Sequence, residues 1–203
     1  MSIRKLLTFT TGLTLGAVSA DYLLVKKYYN VNYCYENAEH DLLGTFSQRN
    51  PSEPSLCGID HYRTFIELPK DGSFTIDQLA NSFFSNPLFR TQTRILDSQV
   101  TSEQQVDECK FDIGDKVSEF KVIEKNQNEI MFRSSDGYLL WLKLANESNK
   151  KVQLNFGSSM MSDSPHAKLP PVVDKIILNL HFLYARYLLA FTKKQFTSKF
   201  VKQ

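Results

Sequence analysis

The sequence predicts an α+β fold in which a curved antiparallel sheet wraps a long C-terminal helix, with an N-terminal membrane-anchor helix ahead of it. Three observations predict it. From Val172 to Phe200 the chain runs without Pro or Gly after the pair Pro170-Pro171, and proline is tolerated in a first helical turn, where its missing N–H has no intrahelical partner anyway. Phe111 to Met161 breaks into short alternating apolar runs separated by turn residues, the pattern of a hairpin meander. Leu6 to Val25 is an apolar, hydroxylated run with one acid, Asp21, near its end.

The N-terminal segment, residues 1–29, carries three readings. Leu6 to Val25 would span about 30 Å as a helix, enough for a bilayer core. Tyr22, Tyr28 and Tyr29 with Lys26 and Lys27 would then lie at the interface, where amphipathic rings and long cations belong. Arg4 and Lys5, the apolar middle and Val18-Ser19-Ala20 equally fit a secretory signal cleaved after Ala20, and the hydroxylated, acid-poor composition fits mitochondrial targeting. Gly12, Gly16 and Ala20 recur every fourth residue, a small-residue ridge along which two anchor helices could self-associate in lipid. The segment resembles the short N-terminal signal-anchors of fungal mitochondrial membrane proteins. A mitochondrial membrane location is the leading expectation, with an endoplasmic-reticulum or secretory route as the alternative.

Residues 30–59 carry turn and coil chemistry, including Asn-Pro-Ser-Glu-Pro-Ser from Asn50, and read as a linker. The folded domain is expected over 60–203. His61 to Leu68 alternates, with Tyr62, Thr64, Ile66 and Leu68 on one side, and stops at Pro69. Thr75 opens a helix with Gln78 at capping-box spacing, and Ile76, Leu79, Ala80 and Phe83 share its buried face. Asn86-Pro87 breaks it, a second short helix spans Leu88 to Leu96, and Thr101 to Asp107 reads as a loop. Strands follow over Ser118–Glu124, Glu129–Arg133, Tyr138–Leu144 and Lys151–Phe156. Their turns fall at Asn126-Gln-Asn, Ser134-Ser-Asp-Gly and Asn146-Glu-Ser-Asn. Gly157 to Pro171 reads as a loop.

On a helical wheel, Val172, Val173, Ile176, Ile177, Leu180, Leu183, Tyr184, Tyr187, Leu188 and Phe191 form one broad apolar face of the last helix. Leu178, Phe182 and Leu189 form a second strip. Lys175, Asn179, Arg186 and Lys193 make one polar stripe between them, and Asp174, His181 and Thr192 another. With one strand before the short helices and the others after, the first strand is placed to pair with the last and curl the sheet around this helix.

Composition narrows the function classes. The 203-residue chain carries a net charge of +2 with no basic patch interleaved with aromatics, so no nucleic-acid partner is expected. Cys34, Cys57 and Cys109 form no C-x-x-C pair, and the histidines His40, His61, His166 and His181 are scattered, which is not metal-ligand spacing. A Cys34–Cys57 bridge would need an oxidising compartment. No Gly-rich phosphate loop is present, and no cofactor is expected. Ser158, Ser159, Ser162 and Ser164 lie outside any Gly-x-Ser-x-Gly elbow, and Asp112 and Asp115 flank Gly114 as turn chemistry. The cations Arg186, Lys193, Lys194, Lys199 and Lys202, with Phe191, Phe196 and Phe200, could either lie on an anionic membrane surface or form a solvated helix end that complements the helix dipole.

Three segments carry a family resemblance. They are Phe111-Asp-Ile-Gly-Asp-Lys-Val-Ser-Glu-Phe-Lys-Val-Ile-Glu, Asn128-Glu-Ile-Met-Phe-Arg-Ser-Ser-Asp-Gly-Tyr-Leu-Leu-Trp and Leu183-Tyr-Ala-Arg-Tyr-Leu-Leu. With the element order, over Tyr62 to Phe196, they resemble the START-like (helix-grip) superfamily, and more narrowly a bacterial and fungal domain-of-unknown-function family near it. The resemblance implies a cavity for a hydrophobic small molecule or lipid and, in most members, no catalysis. The expected ligand contacts are His181, Tyr184, Tyr187, Arg186 and Trp141, with His181 bonding a head group and Arg186 able to take a phosphate or carboxylate. The leading expectation is a membrane-tethered binding domain. Its alternatives are a non-binding scaffold or assembly factor of a mitochondrial membrane and a cyclase-like enzyme.

Overall fold

The computed structural model describes residues 25, 29–34, 41–67, 73–96, 102–148, 151–163 and 171–201, with the backbone alone for 94–96, 103, 147–148 and 171–179. The main body of the N-terminal run, with Gly12, Gly16 and Ala20, lies outside the described residues, as does His166. Among the described residues no helix is long and apolar enough to cross a membrane.

The architecture is α+β: an open, curved, seven-stranded antiparallel sheet and a C-terminal helix. Strands β1 (Asn32–Tyr33), β2 (Leu56–Glu67), β3 (Lys116–Val117), β4 (Phe120–Lys125), β5 (Glu129–Ser134), β6 (Tyr138–Ser148) and β7 (Lys151–Met161) stand in the order β1-β2-β7-β6-β5-β4-β3. Strand β2 thus pairs with the last strand, Tyr62 opposite Phe156 and Thr64 opposite Leu154. Register shifts in the β2–β7, β4–β5 and β6–β7 ladders mark bulges, which bend strands and raise twist.

Helices α1 (Phe46–Arg49), α2 (Ile76–Phe84), α3 (Pro87–Leu96), α4 (Glu103–Glu108) and α5 (Pro171–Phe196) complete the fold, with a π turn over Thr197–Val201. Thr75 caps α2 through a reciprocal capping box with Gln78. An equivalent box between Ser102 and Gln105 starts α4, where the sequence reading expects a loop. The expected ends of β6 and β7 also shift: β6 runs on to Ser148 and β7 to Met161, because their ladder continues from Ser148 opposite Lys151 to Tyr138 opposite Met160. The turn at Asn126 forms as expected, its Oδ1 accepting from the N–H groups of Asn128 and Glu129 at 2.9 and 2.8 Å.

The sheet is covered on both faces. On one face α5 lies across β2 and β7 beside α2 and α3, over Tyr62, Ile66, Val122, Ile130, Phe132, Leu142, Leu154 and Phe156. Phe83, Phe84, Phe89, Phe111, Phe120 and Phe132 stack and cross in a continuous aromatic chain here. On the other face Leu43 and Phe46 pack on Met131, Leu139, Trp141 and Met161. The stretch read as a spacer, 30–59, therefore supplies an edge strand, a cap on the back of the sheet and the start of β2. Val25 too is buried in the main core, its carbonyl accepting from Val31 N at 3.1 Å, so the domain begins ahead of residue 30.

The buried face of α5 differs from the wheel. Ala185, Leu188, Leu189, Thr192 and Phe196 are buried, whereas Leu180 is 37% exposed. The buried stripe runs through Ala185, Leu188, Leu189 and Thr192 to Phe196, between the two apolar strips, and half-exposed His181 stands at its start. Polar groups can occupy it because the body supplies partners: Asn86 Nδ2 donates to Thr192 Oγ1 at 3.1 Å, and Thr192 donates to the Leu188 carbonyl at 2.7 Å. Two of the C-terminal cations also turn inward, while Lys194 is exposed. Lys193 donates to the Tyr29 carbonyl at 3.0 Å and Lys199 to Asp107 at 3.1 Å, with burial lowering the Lys193 pKa. All three cysteines are free thiols.

Candidate functional site

Alternation along β2 and β7 sets the floor of the site. Counting back from Tyr62 by two places Asp60 on the helix-facing side, and the β2–β7 register sets Ser158 directly opposite it. Asp60 Oδ1 accepts from Ser158 N and Ser158 Oγ, each at 2.7 Å. His181 Nε2, arriving from α5, lies 2.9 Å from Asp60 Oδ2 and 3.0 Å from Ser158 Oγ. Asp60 is 5% exposed, and a carboxylate so buried needs several donors to offset its lost hydration.

The three residue types invite comparison with a hydrolytic triad, but the geometry performs another task. In a triad the nitrogen facing the serine is a free base, and the opposite nitrogen holds the carboxylate. Here the same nitrogen, Nε2, faces both. Its proton is directed at Asp60, and the Ser158 hydroxyl donates to Asp60 as well. Nothing in the trio is arranged to withdraw the serine proton. The arrangement pins α5 to the sheet and presents a hydroxyl oxygen and an imidazole edge to the neighbouring space.

That space is a cleft of about 630 Å³ between α3, α5 and the sheet. Its floor is apolar: Phe83, Phe89, Phe120, Leu140, Phe156 and Leu188. Its rim is polar, with Gln92, Glu119, Asp136, Tyr138, Ser158 and His181. Glu119 and Asp136 are solvent-exposed. The β5–β6 turn places Asp136: Gly137 adopts φ 82°, and Tyr138 N and Gly137 N donate to Ser134 Oγ and the Ser134 carbonyl. A positive φ is what glycine supplies without a Cβ penalty. Burial, with Asp136 and Glu119 adding to it, pushes the Tyr138 phenol up. Tyr184 donates to Gln92 Oε1 across the cleft, and burial pushes its phenol up as well.

Of the residues singled out in the sequence, His181 and Tyr184 line this cleft. The other three do not. Trp141 sits on the opposite face of the sheet, fully buried, its Nε1–H donating to Glu129 Oε2 at 2.9 Å. Strand alternation separates it from the neighbouring Leu140, which does line the cleft. Tyr187 packs half-buried against the main core, and Arg186 lies toward Tyr62, where its charge opposes the burial and Asp60 effects that push the Tyr62 phenol up. Two residues on from Tyr184, Arg186 is rotated by about 200° around the helix and leaves its face. Asp60, Ser158, Glu119 and Asp136 were not singled out for the site. Asp60 and Ser158 were reachable by extending two alternations by one step each; the two rim acids, in turns, carry no such signal.

Asp112 and Asp115 serve the turn before β3, Asp115 Oδ2 accepting from Asp112 N at 3.0 Å. Among the described residues no group of His, Cys, Asp and Glu side chains is arranged to hold a metal ion.

No family model and no curated protein matches the chain. Among solved structures, the chain is similar to a conserved protein of unknown function, EF2215 from Enterococcus faecalis, at 8% identity, over 80% of this chain and 86% of that one, with a TM-score of 0.32. A likeness at that level carries no argument about function.

Proposed function

We propose that this protein is a START-like binding domain for a hydrophobic small molecule or lipid, tethered to a membrane by its N-terminal run, with a mitochondrial membrane as the location. The single observation that carries the binding role is the cleft of about 630 Å³ with an aromatic and aliphatic floor and a polar rim. Ligand sites are typically clefts of ~300–1,000 Å³, mostly apolar, with a few polar groups that fix orientation. The tether rests on the composition of Leu6 to Leu24 alone. Because Val25 is buried in the core, such a tether would hold the domain directly against the bilayer surface.

The Asp60–Ser158–His181 network favours binding over the cyclase-like reading. Its donors are committed to a buried carboxylate, and its free capacity is to hydrogen-bond a ligand's polar end.

The test is binding of N-phenyl-1-naphthylamine, a neutral probe that fluoresces in apolar surroundings. Saturable fluorescence at one probe per chain is expected. It should be lost in the cleft-filling variants Leu140→Trp and Thr93→Phe, with the far-ultraviolet circular dichroism retained. A probe signal that never saturates, or that both folded filling variants keep, would refute the binding role. For the tether, release of the full chain from membranes by alkaline carbonate would refute an integral anchor.

A further inference from the structure

We infer that the cleft selects a hydrophobic alcohol, a ligand whose hydroxyl donates a hydrogen bond to Ser158 Oγ, over a ligand whose polar end only accepts, such as an ether. The inference rests on the binding role proposed above and names the chemical class that role would serve.

Proton accounting at the cleft wall carries it. The sheet register sets Ser158 of β7 between Asp60 of β2 and Leu140 of β6. Asp60 is buried, and a carboxylate offers acceptors only. Ser158 N and Ser158 Oγ each lie 2.7 Å from Asp60 Oδ1, and His181 Nε2 lies 2.9 Å from Asp60 Oδ2. Each of these contacts therefore uses a proton of the partner. A hydroxyl in water can turn its proton in any direction; that of Ser158 is held by the buried acid. A hydroxyl oxygen has two lone pairs besides its proton. His181 Nε2, 3.0 Å from Ser158 Oγ, can share its one proton with at most one of them. A lone pair is left over, so toward a ligand Ser158 Oγ receives and does not give. Donation to a carboxylate also polarises the hydroxyl and strengthens what its oxygen can accept.

The surroundings turn that polarity into selection. Ser158 and His181 line the cleft together with the apolar Leu140, Phe156 and Leu188. An alcohol seated beside Ser158 keeps a hydrogen bond on leaving water. An ether oxygen at the same point meets the Ser158 oxygen lone pair against lone pair. The protons of the wall are turned to Asp60, and the ether loses there the bond it had in water. One neutral hydrogen bond changes affinity by about fivefold.

The experiment measures displacement of N-phenyl-1-naphthylamine by dodecan-1-ol and by its isomer methyl undecyl ether, which has the same atoms and no O–H. In the native chain the ether should be needed at about fivefold higher concentration than the alcohol. Ser158→Ala removes the receiving oxygen and should bring that ratio to within about twofold, through weaker binding of the alcohol. Ser158→Cys keeps nearly the same side-chain volume with only a weak sulfur acceptor; it should act alike and replaces the alanine variant should that chain not fold. Ser158→Thr restores a hydroxyl and should restore the preference. The other polar groups of the rim are common to all four chains, so the change in ratio reports on Ser158. Circular dichroism checks the folding of each. Saturable probe binding that the two isomers displace equally, that the ether displaces better, or that neither displaces would overturn this inference and leave the binding role standing. A preference for the alcohol that persists unchanged in folded Ser158→Ala or Ser158→Cys would do the same. Failure of the probe to bind at all would remove the binding role and this inference with it.

Discussion

His181 on the C-terminal helix and Asp60 on the second strand meet at 2.9 Å across 121 residues of sequence. The same carboxylate holds Ser158 of the last strand by two further bonds. One buried acid thus joins the first long strand, the last strand and the final helix at the edge of the cleft. Replacing Asp60 by Ala would strand the Ser158 N–H, and unsatisfied buried donors cost about 1–3 kcal/mol each. Asp60→Asn keeps one acceptor oxygen and should cost less. Urea denaturation of the two variants measures the difference, and equal stabilities would show that the network does not hold the helix.

His61 gives the fold a pH dependence on its other face. Burial lowers its pKa from 6.5, outweighing the hydrogen bond to Asn155 and the Asp41 charge that raise it. The unfolded chain therefore binds a proton at His61 more readily than the folded one, and stability must fall as pH drops below about 6.5. Above that value both states hold the neutral ring and the effect vanishes. Denaturation midpoints from pH 7.5 to 5 should decline more steeply for the native chain than for His61→Gln. Parallel profiles would remove His61 from the account.

Gly157 lies between His61 and Trp141 in the β2–β7–β6 ladder. A Cβ there would come within 3.0 Å of the Asp60 carbonyl oxygen, the Leu43 side chain and the Trp141 ring. The carbonyl is backbone and cannot swing aside. Gly157→Ala should destabilise by about 1–3 kcal/mol, the range for overpacking. Trp141 is the chain's single tryptophan, so a shift in its emission should accompany the loss. Unchanged emission and stability would show that the back layer yields easily.

The two capping boxes allow a matched pair of tests. Thr75→Ala and Ser102→Ala each remove an oxygen that accepts an N3 backbone N–H, from Gln78 at 3.3 Å and Gln105 at 3.1 Å. Each should cost about 1 kcal/mol, the usual value of an N-cap. Denaturation curves would show it, and a neutral effect at Ser102 would mark α4 as peripheral.

How much of this was readable in the chain depends on the range of the interaction that decides it. Thr75 and Gln78 announce a helix start because capping is a contact three residues long. Ser102 and Gln105 carry the same signature, and the short polar helix they open was readable by the same rule. Tyr62, Thr64 and Ile66 show which side of β2 is buried because strand periodicity is two. Trp141 went to the wrong face because Tyr138 to Leu144 is apolar on both sides, and a strand covered on two faces gives no alternation to read. The cover is Leu43 and Phe46, from a stretch whose Pro, Ser and Asn content spoke only of turns.

The sequence by itself determined the order of the main elements from β2 onward, the Thr75 cap, the turn at Asn126 and the pairing of β2 with β7, since each follows from local sterics and short periodicities. Tertiary structure alone decided which stripe of the final helix is buried and where the charges of the cleft fall. A polar residue such as Thr192 can be buried, and His181 held against the sheet, only if distant residues, here Asn86 and Asp60, supply their hydrogen bonds. That supply depends on how remote segments pack, which no local pattern encodes.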